Sequence, residues 1–554
     1  MKGKMRLVAL LLVLGMVASA CAGIPAGTAS SGAAAPAPAA AEETAEAVEP
    51  AAEPAAEEAA PAEPAAEEEA APAEAEEAAE PGEIVQISMY MANMQSPSEP
   101  KIKQVEEAIN AISEKEIGVH VNFQTGNFGQ YIPGVTMALA SGQPLDIISI
   151  APPGSVQFSA MYASGSLMDI SDLVDEFGPD IKSELGDYLG ACRVGDGLYM
   201  IPNLRIYPCS EYLLVVKSYL EEAGLLEKFE NMTTWEEWVE IMEALKEQYG
   251  ISVLVGTEAA DANILVRSGS ILSGSGDLGS GLVFDSVGDT VYVLGTDVAA
   301  DDSTVKILAE TDEYVNACKK VAEWYDAGLI YKDAAYETES QEIIVKNGAS
   351  AAFITTSEMG VEIAKQGTVG KELVGRLLVD TAVTSGVITR FGLAVPATSR
   401  EPEAAVKFLN FMFTNPEVNN LIDWGIEGED YQVVDGQAAY VHEGAEWHTQ
   451  DFMAGNSFLA LPWMGNGADY RERARIENEN GLISPYLGFM LNTAELTNVI
   501  TAITSVKTEY FVPLCNGLYT DENYEAYVAK LKTAGIEEYR DAAQAQLDAW
   551  LAGK

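Results

Sequence analysis

The chain has 554 residues, with 85 Asp and Glu set against 32 Lys and Arg, for a formal net charge of −53. Fifteen of the acidic residues fall between Glu42 and Glu80 and three of the basic ones between Lys2 and Arg6, so the remainder still carries −41. A surface this acidic repels nucleic acid, anionic lipid and polyanionic substrates, and leaves neutral solutes and cations as partners.

The N-terminus is basic at Lys2, Lys4 and Arg6, apolar from Leu7 to Val17, and small at Ala18, Ser19 and Ala20. That order predicts a secretory signal peptide over residues 1–20, because the apolar run is too short to span a bilayer. Cys21 follows the three small residues directly, an arrangement that resembles the lipobox of bacterial lipoproteins, with Ala18 where Leu is usual. The resemblance implies that Cys21 is lipidated (a palmitate-type acyl anchor) and becomes the new N-terminus. An ordinary signal peptide cleaved near Ala20 is the alternative. Residues 21–82 are dominated by Ala, Glu and Pro, with no Lys or Arg and few large apolar side chains. Such a segment buries too little surface to offset its ordering entropy, and charge repulsion with frequent Pro keeps it extended. A disordered tether is expected there.

From Glu83 to Lys554 the chain is long enough for two or three domains. Ile84 to Tyr90 alternates as a strand. A helix is predicted near Ile102 to Ile112, where Ile102, Val105, Ile109 and Ile112 recur at helical spacing. A strand at Val119–Phe123, a helix near Gly129–Ser141 and a strand at Asp146–Ile150 complete a β-α-β-α-β order. That order predicts an α/β lobe with a largely parallel sheet. Alternation continues through Tyr199–Tyr219, Trp235–Tyr249, Ala351–Thr355 and Phe391–Val395, and the chain ends in helices from about Asp521. There is no internal repeat and no second apolar run of membrane-spanning length.

Catalytic patterns are scarce. His120 lies in a predicted strand and reads as a core or edge residue. His442 and His448, near Glu443, Glu446 and Asp451, lack the i, i+4 spacing of a helical zinc pair and read as a solvated acidic loop. No nucleophile elbow, Walker loop or dinucleotide fingerprint occurs. Ser268 to Gly281 is glycine-rich without a phosphate-binding Lys, and is read as a flexible loop. Carboxylates are too numerous to mark a glycosidase pair. Cys192, Cys209, Cys318 and Cys515 form no metal spacing. Cys192 and Cys209 enclose the shortest loop for a disulfide, and four buried thiols are the alternative. The expectation is a binding protein with no catalytic residues, metal or cofactor.

Several segments then carry a resemblance in order along the chain. Ala138-Leu-Ala-Ser-Gly-Gln-Pro-Leu-Asp-Ile-Ile148, Tyr162-Ala-Ser-Gly-Ser-Leu-Met-Asp-Ile170, Gly197-Leu-Tyr-Met-Ile-Pro202, Val216-Lys217 leading into Leu220-Glu-Glu-Ala-Gly224, and Thr234-Trp-Glu-Glu-Trp238 are similar to elements of bacterial extracellular solute-binding proteins of ABC transporters (family 1, sugar-type). Trp324-Tyr-Asp-Ala-Gly-Leu-Ile330 and Pro402-Glu-Ala-Ala-Val-Lys-Phe-Leu409 continue the series. Asn415 to Tyr431 and Pro485-Tyr-Leu-Gly-Phe489 resemble the LipO-like lipoprotein subgroup, with Gly488-Phe-Met-Leu-Asn492 in place of that subgroup's G-F-x-F-D. The resemblance implies an α/β, two-lobed, periplasmic-binding-protein-like (type II, Venus flytrap) fold. Lobe 1 would comprise 83–205 plus 388–435 and lobe 2 would comprise 206–387 plus 436–554, with hinge strands near Tyr207–Leu213 and Val387–Leu393. It further implies a monomer on the outer face of the membrane that captures a sugar or oligosaccharide and delivers it to ABC permease subunits. A ligand sensor for a membrane kinase and a carrier of peptide or another polar solute are the alternatives.

A sugar site needs aromatic faces for C–H surfaces and polar partners for hydroxyls. By fold analogy the cleft is lined by strand ends and crossovers. The candidates are Asn93, Met94 and Gln95 after the first strand, Pro153, Gly154 and Ser155 after the third, Tyr207 and Glu211 in the crossover, and Thr355, Thr356 and Ser357 after a later strand. Trp424, Trp463, Asn466 and Phe489 complete the set. Trp463 and Tyr207 are the expected stacking platforms, since a large ring in a Pro/Gly/Asn loop or a crossover needs a reason. Trp235, Trp238, Trp324 and Trp550 read as core packing.

Overall fold

The computed structural model describes residues 84–152, 154–255, 277–278, 283–300, 302–442, 446–447, 449–453 and 455–554. The signal peptide, Cys21, the tether, Pro153, His448 and most of the Ser268–Gly281 stretch lie outside the described residues.

Two separate sheets organise the chain. The strands that matter are β1 (Val85–Asn93), β2 (Val119–Asn127), β3 (Ile147–Ile150), β4 (Ile201–Pro202), β5 (Ser210–Val216), β6 (Leu254–Val255), β7 (Ala352–Ser357), β8 (Leu373–Val379) and β9 (Gly392–Ala394). The first sheet has the order β2-β1-β3-β9-β4, and the second β8-β5-β7-β6. In the first, β1 runs parallel to both β2 and β3, whereas β9 returns from the second half of the chain and pairs antiparallel with β3 and β4. The expected parallel core is present, and the antiparallel strand is the one that crosses back between lobes.

Helix α1 (Glu99–Ile117) and helix α2 (Phe128–Ala140) connect the parallel strands. The apolar spacing read for the first connection places Val105 and Ile109 in the core beside Val121 and Ile147. In the second sheet β5 is buried on both faces. Leu213 and Val215 enter one core with Trp238 and Ile354, while Leu214 and Val216 enter another with Phe353 and Val361. The strand's two-residue period separates these two sets, as in a sheet covered on both sides.

Two of the family-like motifs are structural devices. Thr234 caps α3 (Trp235–Tyr249) through a reciprocal capping box with Glu237, and Trp235 and Trp238 are buried in the core beneath it. Asp146 is 4 % exposed. Its Oδ1 accepts from Ser399 Oγ at 2.7 Å, Arg400 N at 3.0 Å and Glu401 N at 3.2 Å; its Oδ2 accepts from Ser88 N at 2.8 Å and Ser88 Oγ at 3.0 Å. It therefore joins β1 and β3 to the chain entering the helix at Pro402–Met412.

The first core extends past residue 435, the expected limit of the first lobe, to take in Trp447, Met453, Phe458, Tyr470 and Ala474. The second core holds the C-terminal helices through Tyr527, Tyr539 and Leu547. Cys192, Cys318 and Cys515 are buried free thiols, so the Cys192–Cys209 disulfide does not form. His120 is half-buried at the sheet edge, with Nδ1 2.5 Å from Glu114 Oε1. Among the described residues no helix is long and apolar enough to cross a membrane.

Three segments pass between the lobes, and the third lies well beyond residue 435. Asn203 N donates to Phe391 O at 3.2 Å, Thr381 Oγ1 to Cys209 O at 2.8 Å, and Ser210 Oγ to Asp380 Oδ1 at 2.9 Å. The third strand of the hinge follows α4 (Tyr470–Asn480): Val383 N donates to Leu482 O at 2.8 Å and Ser484 N to Val383 O at 2.9 Å. Asn478 ties the first of them to α4, just ahead of the third. Its Oδ1 accepts from Tyr207 N at 2.8 Å, its Nδ2 donates to Arg205 O at 2.8 Å, and its own carbonyl accepts from Tyr188 OH at 3.3 Å. Asn478→Ala would leave two buried backbone groups without partners and is expected to cost about 2 kcal/mol, read from the urea midpoint at unchanged m-value.

Candidate ligand-binding site

The loop carrying Trp463 is held from several directions. Leu461 N donates to Asn420 Oδ1 at 2.9 Å, and Leu461 O accepts from Trp424 Nε1 at 3.1 Å and Arg471 Nη2 at 3.0 Å. Beyond the tryptophan, Gln437 Oε1 accepts from Gly465 N at 3.0 Å and Gly467 N at 2.8 Å. The hairpin β10 (Tyr431–Val434) and β11 (Gln437–Tyr440) supplies one wall, with Ala438 bridging to Trp463. A loop fixed by so many backbone partners presents its side chains with little residual entropy.

The rings form one cluster. Trp463 is half-buried and stacks on Trp424, with centroids 5.3 Å apart and planes 26° from parallel. Tyr440 meets Trp463 edge-on at 4.9 Å, and burial pushes its hydroxyl up to about 12, so the phenol is neutral at any physiological pH. Three residues further on, Asn466 reaches the second lobe. Its Oδ1 is buried without a hydrogen-bond partner, and a Cβ at Gly360 would stand 2.7 Å from it. Gly360 has φ +82°, so a side chain there would be excluded by conformation as well as by space. The ring cluster therefore stands where the two lobes meet.

The other candidates divide. Trp424 is 1 % exposed and underlies Trp463 instead of offering a face of its own. Tyr207 corrects the expectation of a second platform. It is fully buried, its hydroxyl donates to Asn203 O at 2.9 Å, and Tyr188 covers it at 4.5 Å, so no ring face is open. Phe489 is likewise core, edge-on to Trp550 at 5.8 Å. Glu211 and Thr356 are buried cross-strand partners in the second sheet. Asn93 is buried and engaged internally: its Nδ2 donates to Thr449 Oγ1 at 3.2 Å and its Oδ1 accepts from Gln95 N at 2.7 Å. Met94 is buried, and Gln95 is half-buried beside it. Ser155 is exposed and shares a hydrogen bond of 2.9 Å with Thr136 Oγ1.

Sequence reasoning missed Tyr440, Arg471 and Arg205. Arg471 had a legible signal, because Arg471-Glu-Arg-Ala-Arg475 is a dense basic run in a strongly acidic chain. A separate surface depression of roughly 370 Å³, lined by Ser98, Lys101, Glu429, Asp430, His442 and Glu446 among others, lies by the start of α1. There Lys101 already pairs with Glu429 and Asp430, and Glu446 accepts from Ser98, so its charges are internally satisfied. Among the described residues no group of three or more His, Cys, Asp or Glu is placed to hold a metal.

Two α/β lobes joined by three crossing segments are the architecture of a two-lobed solute-binding protein. The family model for bacterial extracellular solute-binding proteins matches residues 96–419, and the chain belongs to that family, whose members bind substrates without chemically transforming them. A domain of unknown function (DUF3502) matches residues 485–552. The chain is similar to a carbohydrate ABC transporter substrate-binding protein of Streptococcus pneumoniae, at 22 % identity over 87 % of this chain and 94 % of that protein. It is also similar to the fructooligosaccharide ABC transporter substrate-binding protein FusA of the same organism, at 22 % identity over 71 % and 70 % of the two chains. Among solved structures, the N-glycan transport solute-binding protein NgtS of S. pneumoniae superposes with a TM-score of 0.71 at 18 % identity, covering 84 % of this chain and 99 % of that one.

Proposed function

We propose that the protein captures an oligosaccharide between its lobes and delivers it to an ABC importer, tethered to the outer face of the membrane through a lipid on Cys21. The observation that carries the cargo reading is the half-buried Trp463, backed by Trp424 and held at the lobe junction. An indole held in place by a second indole is the kind of surface on which pyranose or furanose C–H faces stack. The unpaired Asn466 Oδ1 beside it is an acceptor that a sugar hydroxyl would satisfy. Relatives named for carbohydrate and fructooligosaccharide transport support the same class of cargo.

Thermal unfolding of the full chain against mono- and oligosaccharides tests the proposal. A ligand at 100 times its Kd stabilises by about 2.7 kcal/mol, so a cognate oligosaccharide should raise Tm by several degrees. A panel in which peptides raise Tm and no sugar does would overturn the cargo. Mass spectrometry of the mature N-terminus tests the anchor: an unmodified residue following Ala20 would sink it.

A further inference from the structure

The turn that follows β7 is where charged and polar groups join the lobes. Arg205 is anchored in the first lobe. Its Nη1 donates to Ile206 O at 2.8 Å and its Nη2 to Val387 O at 3.0 Å, and the guanidinium lies 5.5 Å from the Tyr207 ring centre and 5.8 Å from that of Phe391. Glu358 belongs to the second lobe, one residue beyond β7, and its Oε1 accepts from Arg205 Nη1 at 2.7 Å. The two side chains are 4 % and 23 % exposed. The next carbonyl, Met359 O, accepts from Tyr470 OH at 3.1 Å, and Tyr470 is packed in the first core. Gly360 then abuts Asn466. Three consecutive residues of one lobe thus each meet the other.

We infer that the Glu358–Gly360 turn is an interlobe latch, with Arg205 and Glu358 as its positioning pair, holding the lobes together before any solute binds. The asymmetry of the pair sets the sign. When the lobes part, Arg205 keeps its two carbonyls and its flanking rings but stays buried without a counter-charge, and a buried cation deprived of its carboxylate is strongly disfavoured. Glu358, more exposed, is rehydrated at lower cost. The contact therefore biases the ligand-free protein toward closure, and a solute needs correspondingly less differential contact to complete it. The inference draws on the capture reading for the lobe motion alone.

The test uses the full chain with no sugar present. Met137 and Tyr336, 71 % and 73 % exposed and one on each lobe, accept bio-orthogonal spin labels, and pulsed dipolar spectroscopy reads the distance between them. Glu358→Gln, which keeps the side chain's size, is expected to raise the ratio of separated to closed molecules by about tenfold, the effect of losing one charge-assisted hydrogen bond. Tyr470→Phe should move the distribution the same way by less, and Glu358→Asp should fall nearer the unaltered protein. A Glu358→Gln distribution superimposable on that of the unaltered protein overturns the latch. Because no sugar is added, that result leaves the cargo reading standing, and failure of the sugar screen leaves the latch standing.

Discussion

Asp146→Ala is expected to destabilise the protein by about 3–5 kcal/mol, among the largest effects of any single substitution outside the apolar cores. The carboxylate collects five hydrogen bonds from Ser88, Ser399, Arg400 and Glu401 at 2.7–3.2 Å, and the donors come from two distant parts of the sequence. Removing it leaves backbone N–H groups of both parts unsatisfied in a buried place, and each orphan carries its own desolvation penalty. The loss is read from the urea midpoint. Burial pushes the Asp146 carboxyl up, and the hydrogen bonds from Ser88, Ser399, Glu401 and Arg400 outweigh it and hold the group below the ordinary range. A carboxylate depressed in the folded state contributes stability that is fully present above its unfolded pKa, about 4, and is lost as pH falls through the folded value. Acid unfolding of Asp146→Ala should accordingly be less steep than that of the unaltered chain over that window. An unchanged urea midpoint would show that the lattice of bonds at Asp146 is dispensable.

Trp463→Ala is expected to weaken oligosaccharide binding about a hundredfold, roughly 2.7 kcal/mol, since a central, well-supported aromatic ring is the typical dominant contact of such a site. Trp463→Phe retains part of the stacking surface and should lose less. Calorimetry with the sugar that gives the largest thermal shift measures both. The substitution also removes a contact to Trp424 and Tyr440, so the free protein's unfolding must be recorded alongside. Folded Trp463→Ala with undiminished affinity would remove the platform from the site. Tyr207→Ala, by contrast, is expected to act on stability first, because that ring is wholly inside the first core.

The contrast between these two tyrosine and tryptophan candidates shows what could be read beforehand. Trp463 and Tyr207 gave the same local signal, a large ring in an irregular segment. What separated them was the packing around each ring: Trp463, against Trp424 and Tyr440, is half-buried, whereas Tyr188, Arg205 and the core enclose Tyr207. Asp146 and the Thr234–Trp238 segment were legible as family-like motifs, yet their bonds assign them to holding helix entries and strand ends. Asn478 and Glu358 carried no signal at all, since each acts on groups more than a hundred residues away.

Short-range pattern alone determined the alternation of strands and helices and the acidic surface. These depend on periods of two and 3.6 residues and on summed charge, which a chain displays without folding. Tertiary structure alone decided where the third segment crosses the hinge, that Tyr207 and Phe489 are core, and that Arg205 meets Glu358 across the lobes. Those outcomes depend on which distant surfaces come into contact, and burial and ion pairing are properties of the contact, not of either partner's neighbours in sequence.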